Sequence, residues 1–192
     1  IKRFLNTSST IDYVCELKMD GLAIELVYDD GRLTLASTRG DGTTGEVVTH
    51  NIKTIKSIPL ILKGESLPNH IEIRGEVFMN IKDFINLNER RLRADEPIFS
   101  NPRNATAGTI RQLDSSVSAS RKMDIFFYGM GEISNLTAKS HMEFLKMVST
   151  WGFKTNPNTK PCHNLEEVIT FYHKIQRERD HLPYEIDGIV VK

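Results

Sequence analysis

Two strand-like stretches, Tyr13 to Tyr28 and Leu33 to Thr38, are joined by Asp29-Asp30-Gly31, and no other feature restricts the fold of this chain as much. An Asp-Gly turn between alternating apolar and polar residues is a strong short-range hairpin signal, because its left-handed backbone follows the twist of the strands it joins. Antiparallel pairing is therefore expected. Ile71 to Phe78 and the aromatic run Asp124 to Tyr128 read as further strands.

Helices are expected elsewhere and do not alternate regularly with the strands. Glu46 to Lys56 places Val47, Ile52 and Ile55 at roughly helical spacing before Pro59, and Asn80 can cap a helix bearing Phe84 and Leu87. Polar, Arg-rich sequence follows from Glu89 to Arg121, and His141 to Val148 has helical character. Asn164 with Glu167 forms a capping-box pattern ahead of a core-facing stripe of Val168, Phe171, Tyr172 and Ile175. Hairpins mixed with separate helices predict an α+β domain of mostly antiparallel sheets with flanking helices.

With 192 residues, 39% of them hydrophobic, the chain can bury one substantial core. Its 25 basic side chains balance 25 acidic ones, so contact with nucleic acid requires a local patch rather than an overall positive charge. No run approaches the roughly 20 apolar residues that span a bilayer, and Ile1 to Asn6 has no signal-peptide pattern. Cys15 and Cys162 lack a CxxC spacing and lie far apart, which points to reduced thiols rather than a zinc site or a disulfide. A cytoplasmic protein without membrane contact is expected. The chain opens without Met and stops directly after the apolar run Ile189 to Val191, as expected of a piece cut at both ends.

Within Glu16-Leu17-Lys18-Met19-Asp20-Gly21, strand alternation puts Glu16, Lys18 and Asp20 on one face. By itself such a face is more often solvated surface than reactive centre. The weight shifts because Lys18-Met19-Asp20-Gly21 is followed in order by Thr38-Arg39-Gly40-Asp41-Gly42-Thr43-Thr44-Gly45-Glu46, Arg74-Gly75-Glu76-Val77-Phe78, Asn101-Pro102-Arg103-Asn104-Ala105, Phe127-Tyr128-Gly129 and Asp187-Gly188-Ile189-Val190-Val191-Lys192.

The first of these is the KxDG pattern of covalent nucleotidyltransferases, and the ordered set closely resembles bacterial-type NAD-dependent DNA ligases over nearly the whole chain. The resemblance implies a nucleotidyltransferase (adenylation) domain over residues 1–192, belonging to a ligase enzyme of DNA replication and repair. It also implies a reaction in which Lys18 takes AMP from NAD, passes it to the 5′-phosphate of a DNA nick, and a 3′-hydroxyl displaces it. Lys18 and Asp20 are the catalytic candidates. Glu16, Arg39, Glu76, Tyr128 and Lys192 match nucleotide-site positions: Glu16 to accept from the adenine edge, Tyr128 to stack on the ring, Arg39 for phosphate or ribose oxygens, and Glu76 for a ribose hydroxyl or Mg²⁺.

By the same resemblance, Arg103, Arg111 and Arg179 are expected to meet nick phosphates, and Asp187 is a metal-linked carboxylate for Mg²⁺. The implied partners are nicked double-stranded DNA and NAD or AMP, the expected state is a monomer, and zinc belongs only to parts of the full enzyme outside this chain. Also outside it are a preceding segment for the nicotinamide half of NAD, a later lysine motif, an OB-fold and helical DNA-binding repeats. A lysine nucleophile must lose its proton, so positive charge from Arg39, Lys192 or a metal has to offset Glu16 and Asp20.

Other readings compete. Gly40-Asp41-Gly42-Thr43-Thr44-Gly45 satisfies GxGxxG between a strand and a helix, the local context of a dinucleotide-binding Rossmann unit. The preceding strand alternates, however, whereas a Rossmann first strand is a buried apolar run entering a parallel crossover. The Lys18 motif alone also suits an ATP- or GTP-using RNA ligase or capping enzyme, and Arg-bearing segments alone suit a nick-binding module without catalysis. Arg74 with Glu76 could be an ordinary same-face pair, and Tyr128 could belong to the core.

Overall fold

The computed structural model describes residues 4, 10–40, 44–65 and 67–192. Most of the Ile1 to Asn6 start, and Asp41, Gly42 and Thr43 of the glycine cluster, lie outside them. The strongest local signal forms as expected: β2 (Leu22–Asp29) and β3 (Arg32–Thr38) pair antiparallel across a two-residue turn. Asp30 and Gly31 have φ of 47° and 73°, the positive values such a turn demands. β2 also pairs with β4 (His70–Phe78), and β4 with β5 (Asp124–Ile133), giving a four-stranded antiparallel sheet of order β3-β2-β4-β5.

The strand through Lys18 does not belong to that sheet. β1 (Tyr13–Met19) lies between β6 (Lys160–Cys162) and β7 (Ile186–Val191) in a separate three-stranded antiparallel sheet. Asp20 and Gly21 form the junction, and a Cβ on Gly21 would stand 2.2 Å from the Val77 carbonyl oxygen. Only glycine lets the chain pass from one sheet to the other at that distance. Three charged residues on one continuous strand face is thus corrected to two, since Asp20 lies past the strand end.

Helices cover the sheets unevenly. α1 is a short turn, Thr49–Ile52, that buries Ile52, with Ile55 buried just after it. Val47, expected on its buried face, is instead exposed and bridges Ser37. α2 (Ile81–Arg93) starts after Asn80, whose side chain makes no cap bond. The Arg-rich stretch beyond it contains two helices that spacing did not predict, α3 (Pro102–Ile110) and α4 (Ser115–Ala119). Asn101 caps α3 by accepting from the Asn104 N–H, and Pro102 sits at its first turn.

α5 (His141–Thr150) is capped by Ser140, and α6 (Leu165–Glu178) by Asn164, which accepts from the Glu167 N–H at 2.9 Å. Val168, Phe171 and Ile175 of α6 are buried, but Tyr172, assigned to the same stripe, is exposed. The larger core joins the four-stranded sheet to α1, α5, Trp151 and Phe153, with the Tyr28 hydroxyl donating to the Pro59 carbonyl. A second core packs α6 and β1 against Phe78, Phe126 and Tyr184.

The Rossmann alternative fails on topology. All strand pairings among the described residues are antiparallel, β3 is an edge strand, and a four-residue helix follows the glycines. Gly40, at φ 52°, would place a Cβ 1.7 Å from the Thr44 carbonyl oxygen, so only glycine fits that close approach.

Candidate active site

A cavity of about 550 Å³ opens where the two sheets meet. Eight of the eleven residues singled out from the sequence line it: Glu16, Lys18, Arg39, Glu76, Arg103, Arg111, Tyr128 and Lys192. β1 contributes Glu16 and Lys18, β4 Glu76 and β5 Tyr128, while Arg103 opens α3 and Arg111 closes it. Asp20, Asp187 and Arg179 stand outside the lining. The first two touch it through partners: Arg103 Nη1 donates to Asp20 at 2.9 Å, and Lys18 Nζ is ion-paired with Asp187.

Glu16 is the most buried charged group of the site, 5% exposed. Its Oε2 accepts from Lys192 Nζ at 2.5 Å and its Oε1 lies 3.0 Å from His141 Nε2. Burial pushes this carboxyl up, but the bonds to His141 and Lys192 outweigh it and hold the group below the usual carboxylate range. His141 Nε2 also lies 3.2 Å from Lys192 Nζ, and this one nitrogen donates to Glu16 in one tautomer or accepts from Lys192 in the other. Lys192 Nζ also donates to the Tyr128 carbonyl at 2.7 Å and stands 5.6 Å from the centre of the Tyr128 ring.

Glu76 has the opposite character. Burial raises its carboxyl to about 7 against the pull of Arg103, the Gly21 N–H and Lys18. The same-face pairing of Arg74 with Glu76 is not observed, because Arg74 Nε donates to Glu25 at 2.6 Å. Arg111 Nε donates to Glu46, also at 2.6 Å. Arg179, in a short turn after α6, donates to the Ile186 carbonyl at 3.3 Å and so braces the start of β7 beside Asp187.

The counter-charge on Lys18 also differs from expectation. Glu16 and Asp20, proposed to hold its ammonium, are taken by Lys192 with His141 and by Arg103. Asp187 holds it instead, and the Lys18 ammonium keeps the Asp187 carboxyl below the usual range. Among the described residues no group of three or more His, Cys, Asp or Glu is arranged to hold a metal ion.

The family model of the NAD-dependent DNA ligase adenylation domain matches residues 1–192. The chain belongs to that family. The adenylation domain is 50% identical over its whole length to proteins named DNA ligase from Syntrophobacter fumaroxidans and Geobacter sulfurreducens, and 48% identical over 96% of its length to one from Bacillus thuringiensis. It spans 29% of the first two relatives and 27% of the third. Membership selects NAD-type ligases over the ATP- and GTP-using relatives. Among the described residues no helix is long and apolar enough to cross a membrane.

His141 is the site residue that spacing missed. Ser140 and Glu143 carry the capping pattern that could have placed it at the first position of a helix, and Ser140 Oγ does accept from the Glu143 N–H. Nothing local connects that position to Glu16, 125 residues earlier. His141 reaches the cavity only through Glu16 and Lys192, whereas Asn156 lines it from a loop without any motif.

Proposed function

We propose that Lys18 is the nucleophile of an NAD-dependent DNA ligase. Its amine attacks the α-phosphorus of NAD, forming a P–N bond and breaking the bond to the nicotinamide mononucleotide half, which leaves as the amine loses its proton. A 5′-phosphate oxygen at a DNA nick then takes the AMP and releases Lys18. Finally the 3′-hydroxyl oxygen attacks that 5′-phosphorus, closing the phosphodiester and expelling AMP. The reading is carried by one observation: the Lys18 side chain lines a cavity of nucleotide-ligand size that also gathers Glu16, Arg39, Glu76, Tyr128 and Lys192.

In this reading Glu16, held by His141 and Lys192, accepts from the adenine amino group, and Tyr128 stacks on the ring. Arg39 meets phosphate or ribose oxygens and Glu76 a ribose hydroxyl. Arg103 and Arg111 present guanidinium groups to the nick phosphates, with Arg179 beside them. Asp20 positions Arg103. The pairing with Asp187 favours the charged form of Lys18, so the pair must separate before attack.

A single exposed carboxylate suits Mg²⁺, which keeps several waters and shares its ligation with substrate phosphates. Asp187 would hold it, and the ion would supply charge neutralisation at the phosphates. The working protein is a cytoplasmic monomer that seals nicked double-stranded DNA.

The test uses the full-length protein incubated with NAD or with ATP, followed by intact-mass measurement. One AMP is expected on the wild type from NAD, and none on Lys18→Ala. An adduct on Lys18→Ala would remove the nucleophile assignment, and adenylation by ATP alone would remove the choice of NAD.

A further inference from the structure

Helix α3 separates the cavity from a second, smaller concavity. Arg103 and Arg111, at its two ends, line the first, while Ala105 packs with Met79 and Leu87 of the α2 region, and the Thr109 hydroxyl accepts from Arg121 Nη1 at 2.8 Å. Between α2 and the segment after α4 lies a hollow of about 210 Å³, whose polar lining comes from Asp83, Asn86, Arg90, Ser120, Arg121 and Lys122. Three of these groups are cationic and one is anionic.

The hollow carries more positive than negative charge, with Asp83 its one carboxylate. Among the described residues Arg90, Arg121 and Lys122 form no ion pair, and the Arg90 Nε donates only to the Asn86 carbonyl of its own helix, at 3.4 Å. Glu96, whose charge also acts on Arg121, is ion-paired with Arg91 at 2.8 Å. Arg91 and Arg121 both lie over the Phe99 ring, 4.7 and 5.6 Å from its centre. Burial first, then the charge of Arg91, disfavour the charged form of Arg121, with Glu96 opposing the shift and Arg90 adding to it. An arginine nevertheless stays ionised, so the cluster keeps a net positive charge that Asp83 and Glu96 only partly offset and an anion from outside would relieve.

We propose that this hollow receives a backbone phosphate of the duplex, apart from the nick phosphate assigned to Arg103 and Arg111. Its volume is small for a nucleotide and suits one phosphate group. The side chains of Arg90 and Lys122 are exposed and long enough to follow a polymer backbone. A helix is about 10 Å across, and duplex DNA carries a charge about every 1.7 Å along its axis, so one duplex can reach both sides of α3. The inference rests on the ligase reading above.

The test compares full-length wild type with the double variant Arg90→Gln/Lys122→Gln, measuring anisotropy of a labelled nicked duplex across a salt series. Losing one phosphate contact lowers the log-log salt slope by about one. Between about 50 and about 200 mM salt the variant is then expected to lose about 3.5-fold less affinity than wild type does. A charge-matched control, Lys146→Gln/Lys174→Gln on α5 and α6, is expected to keep the wild-type slope. A wild-type slope in the first variant, or an equal drop in the control, overturns the site. Failure of wild type to bind the duplex or to form an enzyme-adenylate from NAD would instead overturn the ligase reading beneath it.

Discussion

Lys18 and Asp187 form an ion pair across 169 positions of sequence, joining adjacent strands β1 and β7 of one sheet. The lysine holds the Asp187 carboxyl below its ordinary range. Such a carboxylate contributes stability above its unfolded value and loses it as pH falls through the folded one. Lys18→Ala is expected to move the Asp187 titration back up toward the ordinary range. Carbon-detected NMR of the side-chain carboxyl reads this, and an unmoved titration would show that the pair does not persist in solution.

Glu76 titrates in the opposite sense. Its carboxyl is raised from 4.5 to about 7, so the folded state binds the proton more tightly than the unfolded chain. The stabilisation is complete below the unfolded value and is lost as pH rises through about 7. Relative to Glu76→Gln, the wild type should lose stability between these two values, by at most about 3 kcal/mol. Denaturant melts of both proteins across that range measure it, and parallel curves would refute the raised carboxyl.

His141 supports Glu16 from the first position of α5, 125 residues away in sequence. Removing a hydrogen bond to a charged group costs about 1.5–3 kcal/mol, which corresponds to roughly ten- to a hundredfold in affinity. His141→Phe is expected to weaken AMP binding by an amount in that range, with Glu16 then relying on Lys192. Titration calorimetry with AMP tests this. Wild-type affinity in the variant would assign His141 to packing alone.

Cys15 and Cys162 are both fully buried, with sulfurs 3.7 Å apart on paired strands. Burial first, then the hydrogen bond and charge of Cys162, push the Cys15 thiol up to about 12. Neither thiol should react with iodoacetamide near neutral pH in the folded protein, and both should react after unfolding, since the thiolate is the nucleophile. Mass measurement counts the adducts. Rapid labelling of the native protein would contradict the burial.

What could be read from the chain beforehand was local. The β2–β3 turn rests on Asp30 and Gly31 alone, and the α6 start rests on Asn164 and Glu167, so neither depended on the rest of the molecule. The assignment of β1 and β2 to different sheets was not legible, because partners far downstream decide it, 147 residues on for Cys15 with Cys162 and 174 for Glu16 with Val190. α3 escaped because its buried residues are Pro, Ala and Thr with a single large apolar side chain, Ile110, rather than a recognisable apolar stripe, and β6 is only three residues long.

The site residues were legible as types, since carboxylates, guanidinium groups and a lysine recur in ordered motifs. Their pairing was not. Glu16 and Asp20 were expected to bias Lys18. The fold instead gives Lys18 to Asp187 and surrounds Glu16 with Lys192 and His141, a distribution of charge that only the approach of β1, β7 and α5 could create.

Glu16, Lys18 and Lys192 ride on or beside the smaller sheet, whereas Arg39, Glu76 and Tyr128 ride on or beside the larger one, and Asp20-Gly21 runs between them like the spine of a book. A nucleotide in that cavity would grip both pages. Occupancy would then act as a clasp, raising the melting temperature with AMP concentration as any ligand of the folded state does. A substitution that splayed the pages far from Lys18 would loosen the grip on the base without altering a single group that touches it.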